Sequence, residues 1–135
     1  MELAISGLYI ALTALIALAL GYQVVARRRK FRIGVGDGDN KEMRLHIRSH
    51  ANLIEYAPFV LLMLVSAEAQ GTSPLWLHAI GSAWIIARVL HPIGLVQGRG
   101  AVHFGRFWGT LLTWIILVVL AGLNIVNFVA SAFAG

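Results

Sequence analysis

Four long apolar stretches, separated by three polar links, dominate the chain. The first, Leu3 to Ala26, carries no charge over about 24 positions, and at about 1.5 Å per helical residue it can cross the ~30 Å hydrocarbon core of a bilayer. It begins after Glu2, is too long for a signal-peptide core and is followed by positive charge, so it reads as a retained helix. The second stretch is Leu53 to Ala69, with Pro58 inside it. Its helix is expected to begin earlier, near Lys41 to Arg44, in amphipathic form. Gln70-Gly71-Thr72-Ser73-Pro74 is a turn cluster, and Pro74 suits the first turn of a third helix, where a missing N–H is harmless. The third stretch runs to about Val96, interrupted by His78, Arg88 and His91. Gly94, Gly98, Gly100 and Gly105 mark residues 94–105 as a loop. The fourth, Phe107 to Gly135, again has no charge.

None of these stretches alternates as a strand does, and an open sheet would leave its edges unpaired in lipid. The pattern predicts one all-α integral membrane domain over residues 1–135. It is a four-transmembrane-helix bundle with helices at about 3–26, 42–69, 74–96 and 106–131.

Composition agrees. The chain is 59% apolar and 13% charged, with a mean hydropathy of +0.77; soluble domains run at about 45–50% and about 25%. That excludes a disordered chain and leaves too few polar groups to coat a soluble globule. There is no cysteine, hence no disulfide, protein thiolate or cysteine metal site. The net charge of +5 is unevenly placed. Arg27, Arg28, Arg29, Lys30, Arg32, Lys41, Arg44 and Arg48 lie in or beside the first link, and Arg99 and Arg106 in the third; the second link has no Lys or Arg. The positive-inside rule puts links one and three in the cytoplasm and both termini on the non-cytoplasmic side. The Arg27–Arg32 run is short and abuts a span, so it reads as a topology signal that attracts anionic lipid, not as a nucleic-acid site. Trp84, Trp108 and Trp114 are expected near the headgroups as interfacial anchors.

Ionisable groups inside spans are costly, about 2.5–3.5 kcal/mol on insertion scales, and each raises the question of function. Glu55 and Arg88 both fall toward the cytoplasmic ends of their helices. They read either as a buried structural ion pair or as parts of a site. Arg44, Arg48, Asn52 and Glu55 are spaced 4, 4 and 3, and lie within roughly 40° of one line on a helix. A cation, an amide and an anion on one stripe can bind a zwitterion: Arg offers a planar fork to a carboxylate and Glu accepts from an ammonium. The other reading is a polar stripe bonded to the first link or to another subunit. Pro58 removes a helical hydrogen bond and could open a cavity beside Glu55. His46 and His50 stand four apart without a placed third ligand, so no metal site is expected. Gly34, Gly36 and Gly38 alternate without a preceding strand and are no dinucleotide fingerprint.

The segment Arg48-Ser49-His50-Ala51-Asn52-Leu53-Ile54-Glu55-Tyr56-Ala57-Pro58 resembles the helix-two signature of the MAPEG family, the membrane-associated proteins in eicosanoid and glutathione metabolism. Arg29-Lys30-Phe31-Arg32 resembles the basic link of its leukotriene branch, and Ala87-Arg88 sits where the family carries an arginine in helix three. The resemblance implies a homotrimer with glutathione bound between subunits toward the cytoplasmic side, as co-substrate rather than resident cofactor. It implies glutathione contacts from Arg48, Asn52, Glu55 and Tyr56, with Arg88 beside them and Arg28 or Arg29 reaching in from helix one. It implies a catalytic arginine at the start of helix four that stabilises the thiolate; Arg106 is the candidate, with Arg99 behind it. A lipophilic electrophile or hydroperoxide would arrive from the bilayer. The implied function is a glutathione transferase or peroxidase. The alternatives are a non-catalytic binding or scaffold protein of the same fold and a small-molecule transporter. Where the eicosanoid synthases have helix-three tyrosines that contact glutathione, this chain has His91 and Leu95, and no Tyr follows Tyr56. The short links are similar to those of bacterial members, which implies an inner-membrane location.

Overall fold

The computed structural model describes residues 3–133; Glu2 and both chain ends lie outside the described residues. Four helices follow in order: α1 (Ala4–Phe31), α2 (Lys41–Ala69), α3 (Pro74–Gln97) and α4 (Phe104–Phe133). Each is long and apolar enough to cross a membrane, and no strand occurs among the described residues. The protein is an all-α four-span membrane bundle. Every pair of helices packs together except α1 and α4, which lie diagonally opposite. The core between them is built from Leu53, Val60, Leu64, Leu77, Trp84 and Leu120.

The first span does not stop at Ala26. It continues as helix through Arg27–Lys30, whose charges complement the negative end of the helix dipole. Arg32 turns left-handed (φ 56°), and the Ile33 N–H closes back on the Arg28 carbonyl at 3.0 Å. The link to α2 is then organised by its own charges. Arg28 donates to the carbonyls of Gly34 and Gly36, and Arg44 pairs with Asp37 at 2.5 Å. The hydrogen bond from Arg44 holds the Asp37 carboxyl below its usual pKa range. Asn40 caps α2, accepting from the Met43 N–H at 2.9 Å.

The other end of α1 has no cap of its own. Glu68, near the end of α2, supplies one: its carboxylate accepts from the N–H groups of Ile5 at 2.9 Å and Ser6 at 2.7 Å. An anion there satisfies orphan donors and opposes the helix dipole. Glu68→Ala is expected to lower the stability of the bundle by about 1 kcal/mol, with loss of amide protection confined to the first turns of α1. Unchanged hydrogen exchange at Ile5 and Ser6 would contradict that role.

Trp84 is not an interfacial anchor. It is fully buried, and its indole N–H donates to Thr13 Oγ1 at 2.9 Å, tying α3 to α1. A buried indole needs such an acceptor, and the helix face of α1 provides it. Trp108 and Trp114 are exposed. Nearer the other end of this contact, Tyr9 Oη lies 3.0 Å from His78 Nδ1, the His78 carbonyl and Ser82 Oγ.

The glycines at 94 and 105 are not loop residues either. α3 extends to Gln97 and α4 starts at Phe104, so only a short link joins them. A Cβ on Gly94 would overlap the Arg106 backbone nitrogen, and one on Gly109 would sit 2.8 Å from His91. Gly105, Gly109 and Thr113, spaced by four, form the notch into which α3 settles, a small-residue packing mode of membrane helices.

Candidate functional site

The site grows from that α3–α4 contact. It holds the backbone of Arg106 against Gly94 and that of Gly109 against His91, so the end of α3 and the start of α4 lie side by side at one level. α2 packs against both, bringing its polar stripe alongside.

Arg88 is 1% exposed. It donates to Asn52 Oδ1 at 3.1 Å, to the Gly109 carbonyl at 3.1 Å and to Thr113 Oγ1. Its guanidinium lies 4.9 Å from the Trp84 ring and 5.7 Å from that of Tyr56. Buried Nε has no partner, and no carboxylate pairs with Arg88 among the described residues. An ion pair between Glu55 and Arg88 is therefore not formed. Glu55 pairs instead with Arg48, two turns earlier on its own helix, at 3.2 Å, and both side chains stay about half exposed. Asn52, between them in sequence, turns to Arg88. Tyr56 Oη accepts from the Trp114 indole at 3.1 Å, linking α2 to α4.

Arg106 is half-buried and donates to the carbonyls of Gly100 and Ala101 in the α3–α4 link. It also lines a cavity of about 430 Å³ with Phe107, Leu111 and Trp114. Arg99 is exposed and does not line that cavity. His91, one turn on from Arg88, is 6% exposed, and its backbone packs against Gly109 of α4. Arg48, Arg88 and Arg106, from three helices, lie toward the same end of the bundle, with Glu55 as the anion on the α2 stripe. Their charge excess fits a ligand with more acidic than basic groups, and the unpartnered Nε of Arg88 fits an acceptor.

Arg29 is elsewhere. It lines a second cavity of about 600 Å³ on the α1–α2 face, with Gly21, Tyr22 and His50, and this cavity shares no residue with the one at Arg106. Arg28 is committed to the first link. His46 is buried on α2, and no group of three or more metal-ligating side chains occurs among the described residues.

The sequence pointed to the α2 stripe but passed over Thr113, Gly109 and Trp114. The spacing Gly105–Gly109–Thr113 was a signal available for the first two. Trp114 had none, because an exposed tryptophan in a membrane helix is ordinary.

A sequence model of the MAPEG family matches residues 6–126. The chain is 31% identical over 121 residues to a protein called inner membrane protein YecN in Escherichia coli (strain K12), covering 88% of this chain and 90% of the relative. The protein of that name in Escherichia coli O6:H1 is similar to the same extent. A match that takes in all four helices and the whole polar stripe leaves one assignment: the chain belongs to the MAPEG family.

Proposed function

We propose that this protein is a glutathione-dependent transferase or peroxidase of the bacterial inner membrane. It works as a homotrimer with both termini on the non-cytoplasmic side. The observation that carries the reading is the polar stripe of α2, where Arg48 pairs with Glu55, Asn52 accepts from buried Arg88 and Tyr56 accepts from Trp114, beside an apolar cavity on α4 that Trp114 and Arg106 line. Glutathione carries two carboxylates, one ammonium and a thiol, and the cluster offers three cations and one anion. The Arg48–Glu55 pair is the form of the stripe without ligand. A zwitterion can insert between the two partners, giving its carboxylate to Arg48 and its ammonium to Glu55, so neither charge is left unpaired. Asn52, held by Arg88, and Tyr56 flank that exchange.

A thiol of ordinary pKa, about 8.5, is mostly protonated at neutral pH, and a nearby cation favours the thiolate. Arg106 is the group suited to do this, since it lines the apolar cavity that a lipophilic electrophile or hydroperoxide from the bilayer would enter. The sulfur then attacks, and this chain needs no cysteine of its own.

The trimer has its own support. A half-exposed Arg48–Glu55 pair on a span is costly against lipid and needs a protein partner. Arg29 and Arg106 line separate cavities, so one copy cannot bring both to one ligand, whereas the α1–α2 face of a neighbour can supply the first.

A non-catalytic binding protein is the second reading, favoured by the engagement of Arg106 with the Gly100 and Ala101 carbonyls. Titrating glutathione into the detergent-purified protein separates the two. Heat of binding together with ultraviolet thiolate absorbance supports the enzyme; binding without thiolate supports the alternative; no binding at millimolar glutathione rejects both glutathione readings.

Glu55→Gln is expected to weaken glutathione binding more than tenfold, about 1.4 kcal/mol. A glutathione analogue lacking the α-ammonium should bind both forms alike. Equal losses for the two ligands would return Glu55 to a structural role.

A further inference from the structure

Trp84 and Trp114 each give the indole N–H to a hydroxyl on another helix, and the two bonds end differently. Trp84 donates to Thr13 Oγ1 at 2.9 Å, and Thr13 donates in turn to the Tyr9 carbonyl at 2.7 Å, so that chain closes on backbone. Trp114 donates to Tyr56 Oη at 3.1 Å, but no described residue accepts from the Tyr56 hydroxyl. Tyr9, by contrast, has His78 Nδ1, the His78 carbonyl and Ser82 Oγ all within 3.0 Å of its oxygen.

An indole N–H at membrane depth needs an acceptor, which accounts for the donor half of the Trp114 bond. It does not account for the choice of a phenol, which brings an O–H that then has nothing to donate to. A donor that fills one lone pair of a hydroxyl also restricts where the hydroxyl hydrogen can point. The ring of Tyr56 is placed as well, with its centre 5.7 Å from the buried Arg88 guanidinium. Tyr56 lies four residues beyond Asn52 on the same face of α2. Trp114 has a second contact: it lines the cavity of about 430 Å³ with Arg106, Thr110 and Leu111. The other side-chain hydrogen bonds of the cavity residues stay within α4 and the link before it. One side chain thus touches both the α2 stripe and the cavity.

Resting on the glutathione reading above, we propose that Trp114 is a positioning residue of the co-substrate site. Its indole N–H occupies one lone pair of Tyr56 Oη and leaves the phenolic O–H directed to donate to an acceptor oxygen of glutathione. The open end of the Trp114–Tyr56 chain is closed by the ligand, as the Trp84–Thr13 chain is closed by backbone.

The test uses the full chain purified in detergent. The heat of glutathione binding is measured for wild type, Trp114→Phe, Tyr56→Phe and the double variant. Phenylalanine at position 114 keeps an aromatic ring beside the cavity and removes the N–H. Trp114→Phe is expected to weaken glutathione binding about fivefold, the scale of one net hydrogen bond. Tyr56→Phe should lose at least as much, and adding Trp114→Phe to it should cost nothing further, because the tryptophan acts through the hydroxyl. A tryptophan that only packs would lower thermal stability without this coupling in affinity. Losses that multiply in the double variant would overturn the proposal, as would wild-type affinity in Trp114→Phe; either result leaves the glutathione reading standing. No binding by wild type at millimolar glutathione would overturn both. Because loss of an α2–α4 bond can disturb folding, nitrogen-15 spectra of the indole N–H groups in wild type give a second measurement. The Trp114 signal is expected to shift on adding glutathione while that of Trp76, at the far end of α3, stays in place. An unmoved Trp114 signal at saturating glutathione would overturn the assignment.

Discussion

Arg106→Ala is expected to leave the four-helix bundle folded and to remove the thiolate signal of bound glutathione. The side chain lies on the first turns of α4, half-buried, and it touches two link carbonyls and the cavity at its side. Loss of those hydrogen bonds affects the short link, where about 1 kcal/mol is the expected cost. The chemical loss is larger. If the cation lowers the thiol pKa by about two units, its removal costs about 2.7 kcal/mol of thiolate stabilisation, and turnover with an electrophile should fall on the order of a hundredfold. Arg106→Lys separates the two roles, because lysine retains a charge but not the planar fork that latches the link. Partial recovery of thiolate in the lysine variant identifies the electrostatic role. Unchanged thiolate absorbance in Arg106→Ala would remove Arg106 from the mechanism.

The second large effect is structural and reaches the same site. Gly94→Ala places a Cβ on top of the backbone nitrogen of Arg106 and 2.5 Å from the carbonyl carbon of Gly105. Both are main-chain atoms, so no side chain can rotate aside, and the two helices must separate. Overpacking of this kind typically costs about 1–3 kcal/mol and sometimes more; with backbone on both sides, the upper end is expected here. Separation would also shift Arg106 relative to α3, so glutathione-dependent activity should fall even in the fraction that folds. Gly122→Ala is the control: nothing lies within 4 Å of the added methyl, and alanine is the better helix former. Thermal unfolding in detergent measures both variants, and a Gly94→Ala protein as stable as Gly122→Ala would mean that the α3–α4 contact yields more readily than its geometry implies.

These two expectations divide along what can be read from a linear chain. The four spans were legible because the bilayer imposes a length, and an uncharged run of that length has few other uses. The stripe Arg48–Asn52–Glu55 was legible because helical periodicity converts spacing directly into a shared face. The first helix runs on to Phe31, past the uncharged stretch that ends at Ala26, since hydropathy falls at Arg27 although the hydrogen-bonded helix does not stop there.

Which polar group meets which was not legible. Glu55 and Arg88 share a depth, and opposite charges at one depth suggest a pair; the structure gives Glu55 to Arg48 and Arg88 to Asn52, Gly109 and Thr113. Rotation of α3 about its own axis decides that outcome, and rotation follows from where α4 offers a notch. The glycines at 94, 105 and 109 have the composition of a link but the function of a contact, a difference visible only when the second helix is in place. Trp84 likewise has the signature of an interfacial residue until Thr13 on another helix accepts its N–H. Glu68 caps a helix more than sixty residues earlier in the chain. By itself, then, the sequence determined the number of spans, the sided distribution of charge and the polar face of α2, because each depends on local composition or helical period. Only the tertiary structure decided that Arg88 meets Asn52, Gly109 and Thr113 and that Arg106 backs onto Gly94, because those meetings are set by how closely two backbones approach, and glycine's missing side chain specifies an approach without naming the partner.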